Sequence, residues 1–386
     1  MKIYILKTNK KISPFNENAS DLTVANIKIV EHQKQCFEDL GYEYEYLESA
    51  NQINKSDEYV LLNDNVFFTE TLLIDFIDKS KILNKNTVCS LKKGNFTEKT
   101  IITAQDAVDA GNFVRYSLWY YCIDNSDIEP IILDLDNSTQ VLNFPDHMCK
   151  GGIYLAPFNT RMIVQIDHWS NLWATNLIYI LSHLKGIEEN NKFELFVKAI
   201  LNATFNKWKL LSKVNKIGKN CDIHHTAYVE GSIIGDGVTI GANSVVRHAI
   251  VGDGAYVGNS VTIDASVIGS KSIILNGHIF QTVILAESFS VTHFISASLV
   301  GNRNFIGSGA VLTDFRFDHK NISVMKDGKA VDSGSTFLGC CLGNDVYMGG
   351  GCIVAPGREI PNNTKVSLDK GKIITKIPEE GFRITS

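Results

Sequence analysis

Residues 229–291 read VEGSIIGDGVTIGANSVVRHAIVGDGAYVGNSVTIDASVIGSKSIILNGHIFQTVILAESFSV, and this stretch decides the fold. Bulky apolar residues recur in it in steps of five, six and six, so the pattern repeats every 17 residues. Strands alternate every two residues and helices every 3.6, so neither explains this spacing. A triangular solenoid does, because each coil has three short strands that each turn one apolar side chain inward. The predicted inward residues are Val229, Ile234, Ile240, Val246, Val251, Val257, Ile263, Ile268, Ile274, Phe280, Leu285 and Val291.

Small residues and a second run of the same rhythm extend this solenoid. Glycine often follows an inward residue, which suits a turn where backbones approach closely. After an interruption the six-residue step resumes at Leu342 and reaches Val366. The sequence therefore predicts a parallel β-helix over residues 214–386. The glycines in question are Gly235, Gly241, Gly252, Gly258 and Gly269.

The repeat resembles that of the left-handed β-helix transferases, whose hexapeptide is [LIV]-G-x-x-[STAV]-x. Within that group, residues 300–360 resemble the tail of bifunctional sugar-1-phosphate nucleotidyltransferase/acetyltransferases. The resemblance is carried by Gly307-Ser308-Gly309, by the run Asp314-Phe315-Arg316-Phe317-Asp318, and by Gly343-Asn344-Asp345-Val346. It implies a left-handed β-helix, a homotrimer or a multiple of three, and acyl transfer from acetyl-CoA to a sugar phosphate or nucleotide sugar.

The N-terminal part has the pattern of an α/β unit. Short apolar runs alternate with amphipathic stretches, which predicts strands alternating with helices. We expect a Rossmann-like, nucleotidyltransferase-like domain over residues 1–165 and a helical linker over residues 166–213. The linker should hold one helix from Asp167 to about Lys185 and a second at Phe193–Leu211. Upstream, strands are expected at Ile3–Leu6, Tyr59–Leu62 and Thr87–Leu91, and helices at Ile29–Leu40 and Thr69–Ser80.

The first 65 residues resemble the start of a sugar nucleotidyltransferase, with one marked departure. Pro14, Asn26 and Glu31-His32 fall in register with that family, and Asp64 stands where its Mg²⁺-binding aspartate does. A triphosphate needs a loop of clustered backbone N–H groups, which requires glycine. The loop at residues 6–13 contains none, and Asp21 stands near the position of the phosphate-binding lysine. We therefore expect triphosphate chemistry to be lost. A lone aspartate after a strand is also a common turn residue.

Acyl transfer needs a general base, donors for the oxyanion and cations for phosphates. The resemblance places His293 at the base, although histidine also serves as a packing residue. It places Asp314 where the family has an asparagine donor, and an ionised carboxylate cannot donate. The cationic loop after it could bind phosphates or could simply be solvated. Its residues are Arg316, Lys320, Lys326 and Lys329.

Composition narrows the remaining classes of function. The net charge of −5 argues against a nucleic-acid partner, and no apolar run is long enough to span a membrane. The eight cysteines lack metal-site spacing, which favours reduced thiols in a cytoplasmic protein. Three functions stay open: an acyltransferase, a sugar-1-phosphate nucleotidyltransferase that uses Asp64, and a non-catalytic regulatory or scaffolding subunit.

Overall fold

Short strands and four helices form the N-terminal part of the computed structural model. The structure describes residues 1–54, 57–122, 127–136, 139–143, 152–190 and 214–368. The helices are α1 (Ile29–Asp39), α2 (Glu70–Leu83), α3 (Asn95–Lys99) and α4 (Trp169–Asn190). The strands are β1 (Lys2–Leu6), β2 (Lys11–Ile12), β3 (Glu17–Asn18), β4 (Thr23–Val24), β5 (Ile27–Lys28), β6 (Glu43–Leu47), β7 (Tyr59–Asn63), β8 (Val66–Phe68), β9 (Asn86–Lys92), β10 (Val108–Asp109), β11 (Phe113–Tyr121), β12 (Ile128–Leu133), β13 (Thr139–Asn143), β14 (Ile153–Pro157) and β15 (Ile163–Gln165).

A mixed sheet organises these elements in the order β12-β9-β11-β7-β1-β6, with β10 paired to β11. β1 lies parallel to β6 and β7, and β11 runs antiparallel between β7 and β9. Most residues of β1 and β9 are buried, as expected for inner strands that are covered on both sides. The predicted α/β class is confirmed, and the five predicted elements upstream of residue 92 appear with small shifts of their ends.

Helix α4 lies between the sheet and the solenoid. Trp169 and Leu172 are completely buried, which confirms the predicted apolar face of this helix. It begins two residues later and ends later than the sequence indicated. The predicted helix at Phe193–Leu211 lies outside the described residues. None of the described helices is long and apolar enough to cross a membrane.

The C-terminal part is the predicted β-helix, with three parallel faces of stacked strands. The first face comprises Lys216–Ile217, Ile233–Ile234, Ile250–Val251, Val267–Ile268, Val283–Ile284, Leu299–Val300, Cys341–Leu342 and Glu359–Ile360. The second comprises Asp222–Ile223, Thr239–Ile240, Tyr256–Val257, Ile273–Ile274, Phe289–Ser290, Phe305–Ile306, Tyr347–Met348 and Lys365–Val366. The third comprises Tyr228–Glu230, Val245–Arg247, Thr262–Asp264, His278–Phe280, Phe294–Ser296, Val311–Leu312 and Ile353–Val354.

The inward column follows the predicted rhythm up to Ile274 and then departs from it. Ile279, Ile284 and Ser290 point inward, not Phe280, Leu285 and Val291 as predicted. Two successive coils pair with an offset of 16 residues, as in Ile273↔Phe289↔Phe305. The corner between the second and third faces loses one residue in each of two coils. Gly277, with φ +105°, permits this, since a Cβ there would lie 2.3 Å from the Thr292 carbonyl oxygen.

The first face is covered by the N-terminal part. Its outward residues are buried in one core with the sheet and α4: Ile250, Val267, Val283, Leu299 and Cys341. Polar contacts add to this junction, as the Trp173 indole donates to the Gln281 carbonyl at 2.8 Å and Asn26 Nδ2 to the Ile268 carbonyl at 2.9 Å. The predicted division at residues 165 and 213 stays a prediction.

An insertion at residues 313–337 interrupts the solenoid and returns to the N-terminal part. It forms an antiparallel hairpin, Ser323–Lys326 with Lys329–Asp332. The Met325 carbonyl oxygen lies 3.1 Å from His168 Nε2, and Thr103 Oγ1 donates to the Asp332 carbonyl at 2.6 Å. The hairpin therefore joins the solenoid to the start of α4.

Candidate functional site

His293 lies at the shortened corner between the second and third faces, just before the strand Phe294–Ser296. Its side chain is exposed, and so is that of Phe294. Asn276 occupies the corner of the preceding coil, and its Nδ2 lies 3.0 Å from His293 Nδ1. The solenoid core does not use this histidine, so the ring is available to a ligand on the outer surface.

The contact with Asn276 decides which ring nitrogen could act as a base. If the amide NH₂ faces Nδ1, the neutral ring carries its proton on Nε2, and Nε2 is then a donor. If the amide oxygen faces Nδ1, the proton lies on Nδ1 and Nε2 has a free lone pair. The oxygen and nitrogen of such an amide differ only by a flip of the group. The orientation of the Asn276 amide therefore decides whether Nε2 of His293 is a base or a donor, a role that sequence reasoning missed.

Asp314 lies at the other end of the third face. Ile295 pairs with Leu312, so the segment after Leu312 continues from the corner opposite to His293. The Asp314 carbonyl accepts from the Leu338 N–H at 3.0 Å, where the insertion returns to the solenoid. Within one chain the structure does not bring Asp314 and His293 together, and the catalytic role of each stays a prediction.

The predicted phosphate-binding cations divide into two groups. Arg316 is held by Asp318, with its Nε 2.8 Å from one carboxylate oxygen, and this hydrogen bond keeps the pKa of Asp318 well below its usual range. Lys320 and Lys329 are exposed on the insertion. Lys326 is nearly buried and pairs with Asp106 of the N-terminal part. This ion pair holds Lys326 at the junction with the N-terminal part, and its phosphate role stays a prediction.

Asp64, the predicted metal ligand, holds the loop that replaces the triphosphate loop. Its Oδ1 accepts from the Thr8 backbone N–H at 3.0 Å and from Thr8 Oγ1 at 2.6 Å. Both are donors, so they bind the oxygen that a cation would need. No cluster of three or more His, Cys, Asp or Glu side chains suited to a metal occurs among the described residues. The Mg²⁺ role of Asp64 stays a prediction.

A charged network beside this loop was missed by sequence reasoning. Lys10 Nζ lies 2.6 Å from Asp106, which also pairs with Lys326. Asp167 is buried and accepts from the Asp106 N–H at 2.7 Å and from Asn65 Nδ2 at 2.9 Å. Burial raises the pKa of Asp167. The network joins five separate segments of the chain, so the linear sequence could not show it.

We expect nucleoside triphosphates to bind weakly or not at all to the N-terminal part. The loop lacks clustered amides, Asp64 holds Thr8, and Asp106 pairs with both Lys10 and Lys326. Calorimetry with UTP, dTTP, GTP, CTP and ATP in the presence of Mg²⁺ measures this. Micromolar affinity for any one of them would contradict the expectation and favour nucleotidyl transfer.

Comparison with known proteins points to the same group of folds. The family model described as the GMPPB C-terminal domain matches residues 202–288. No curated protein sequence matches the chain significantly. Solved structures that match include the acetyltransferase domain of PglB from Neisseria gonorrhoeae in complex with acetyl coenzyme A, at 16% identity and a TM-score of 0.13. That match covers 38% of this chain and 50% of the other. A TM-score this low supports no argument about the site. The family match agrees with the resemblance found in the sequence.

Proposed function

We propose that this protein is an acyltransferase that moves an acetyl group from acetyl-CoA to an amine or hydroxyl of a sugar phosphate or nucleotide sugar. The observation that carries the proposal is the exposed His293 at the solenoid corner, with its Nδ1 held by Asn276. In the proposed reaction the Asn276 amide oxygen faces Nδ1, and His293 Nε2 removes the proton of the attacking amine or hydroxyl. The new C–N or C–O bond forms as the thioester C–S bond breaks, and the imidazolium returns the proton to the departing thiolate.

The N-terminal part supports nucleotidyl transfer less well. Its loop has no glycine, and Asp64 holds that loop closed through Thr8. By contrast, a ring nitrogen of His293 is accessible to ligands on the outer surface, and Lys320 and Lys329 are exposed on the insertion. Measurement of thiol release from acetyl-CoA, with amino-sugar phosphates and nucleotide sugars as acceptors, tests the proposal. Absence of release with every acceptor, and absence of CoA binding, would favour the scaffolding alternative.

We expect the protein to form a homotrimer through the second face of the solenoid. This face presents an outward aromatic column in which Phe289 and Phe305 stack at 5.8 Å and Phe305 and Tyr347 at 6.4 Å. Apolar rows of this kind are usually covered by a partner. A cyclic assembly closes when each subunit covers the next. The corner with His293 borders this face, so a neighbouring subunit would complete the site.

Light scattering should give three times the chain mass of 42.8 kDa, or a multiple of that. Phe305→Glu places a charge in the middle of the aromatic column and should yield monomers. Ile353→Glu is the matched control, because Ile353 is 70% exposed on the third face. A monomeric wild-type protein at micromolar concentration would rule out an intersubunit site.

A further inference from the structure

A cavity of about 350 Å³ lies where α4, the paired strands β13 and β14, and the solenoid meet. Its volume is at the small end of the range for ligand sites, about 300–1,000 Å³. Most of its wall is apolar, and its opposite ends are polar. Lys99 lies over the Tyr154 ring at 3.8 Å at one end. The apolar wall includes Ile101, Pro157, Trp173, Leu177, Leu181 and Phe280.

The other end of the cavity is formed by a charged column at the corner between the third and first faces. His248 and Asp264 line the cavity, and Glu230 stands behind them on the preceding coil. His248 Nε2 is 3.6 Å from Glu230 Oε1, and His248 Nδ1 is 3.8 Å from Asp264 Oδ1. Arg247 pairs with Asp264 on the other side. This column is at a different corner from His293, so it is independent of the function proposed above.

Several polar atoms of this column lack hydrogen bonds. Glu230 is completely buried, and within the described part of the chain neither of its carboxylate oxygens accepts a normal hydrogen bond. The buried Nε of Arg247 likewise lacks an acceptor among the described residues. Tyr228 faces Glu230, and burial together with that carboxylate raises the pKa of the phenol. Buried polar groups without partners are rare in folded proteins because each costs desolvation free energy.

The shape and charge of the cavity define the molecule that would fit. An apolar body can lie along α4 between Trp173 and Leu181. A head group at the charged end lies beside the carboxylate of Asp264, and the carboxylate of Glu230 stands behind it. Because both carboxylates carry negative charge, a hydrogen-bond donor is favoured there over an anion. Gly231 supports this arrangement: a Cβ there would lie 3.1 Å from the His248 ring, so the glycine leaves room for the imidazole.

We propose that this cavity binds a small amphipathic molecule with an apolar body and a hydrogen-bond-donating head, a hydroxyl or an ammonium, directed at Asp264 and His248. Neither the sequence nor the comparisons indicated a site at this corner. The cavity lies at the junction of the two parts, so an occupant would contact both of them.

Calorimetry with 1-octylamine, 1-octanol and octanoate tests the proposal, because the three share one chain and differ in the head group. Octylamine should bind the wild-type protein about tenfold or more tightly than octanoate, with octanol between them. Leu177→Trp fills the cavity and should abolish binding. Ile82→Trp adds the same ring on α2, where residue 82 is 85% exposed, and should change nothing.

Two further variants test the charged end. Glu230→Gln and Asp264→Asn should each lower the preference for octylamine over octanoate about tenfold. Glu287→Gln, at an exposed position on another corner, is the control. Thermal melting of each variant verifies the fold. Equal affinity for the three compounds, no heat with any of them, or full binding by Leu177→Trp would overturn the proposal.

Discussion

Replacement of His293 with alanine is expected to lower the rate of acyl transfer by about 10²–10⁴-fold, the usual contribution of a general base. Affinity for CoA should change little, because the long arms of the cofactor bind elsewhere on the surface. The loss should therefore appear in kcat and not in the KM for acetyl-CoA. His293 is exposed and outside the core, so the variant should keep the wild-type melting temperature. Unchanged turnover in His293→Ala would remove the proposed base.

Asn276 provides a sharper test of the same mechanism. Asn276→Asp places an acceptor 3.0 Å from His293 Nδ1, which fixes the proton on Nδ1 and leaves Nε2 free to act as a base. We expect this variant to keep or raise kcat and to shift the acid limb of its pH profile to higher pH, because a carboxylate stabilises the imidazolium. Asn276→Leu removes the contact and should lower kcat. If His293 instead donates from Nε2, Asn276→Asp should lower kcat as well.

Acid should weaken the folded protein by about 2–3 kcal/mol between pH 6.5 and pH 4.5 through His168 alone. Burial lowers the pKa of His168 to about 4. The ring is neutral in the folded protein: Nε2 donates to the Met325 carbonyl, and Nδ1 accepts from the Ser170 N–H at 3.2 Å. The unfolded chain takes up a proton near pH 6.5, and the folded chain does so only near pH 4. The stability is therefore complete above pH 6.5 and is lost as the pH falls toward 4.

Urea unfolding at pH 7 and pH 4.5 measures this loss. His168→Gln should reduce the difference between the two pH values, because its amide can still donate to Met325 but takes up no proton. Part of the difference should remain, since burial also lowers the pKa of His32 and His183. His224→Gln changes an exposed histidine and is the control. An identical pH difference in His168→Gln and wild type would contradict this account.

The position of the coil corners shows the limit of sequence periodicity. Up to Ile274 a fixed step identifies the inward residues, because every coil there has the same length. After Ile274, the inward position and the position next to it can both hold a bulky residue, as with Ile279 and Phe280. Apolar content alone cannot distinguish them, and the shorter corner at Gly277 shifts the register by one residue.

The sequence by itself determined that the chain has an α/β part and a β-helix. It also determined that the β-helix is interrupted and that the N-terminal loop lacks glycine. Each is a local or periodic property, and the physical cause lies in residues close together in the chain. The tertiary structure alone decided what the charged residues do. Lys326 and Asp106 are 220 positions apart, and they pair only because the insertion hairpin returns to the N-terminal part. The column of Glu230, His248 and Asp264 likewise forms only when coils stack, because stacking brings residues from successive coils into side-chain contact.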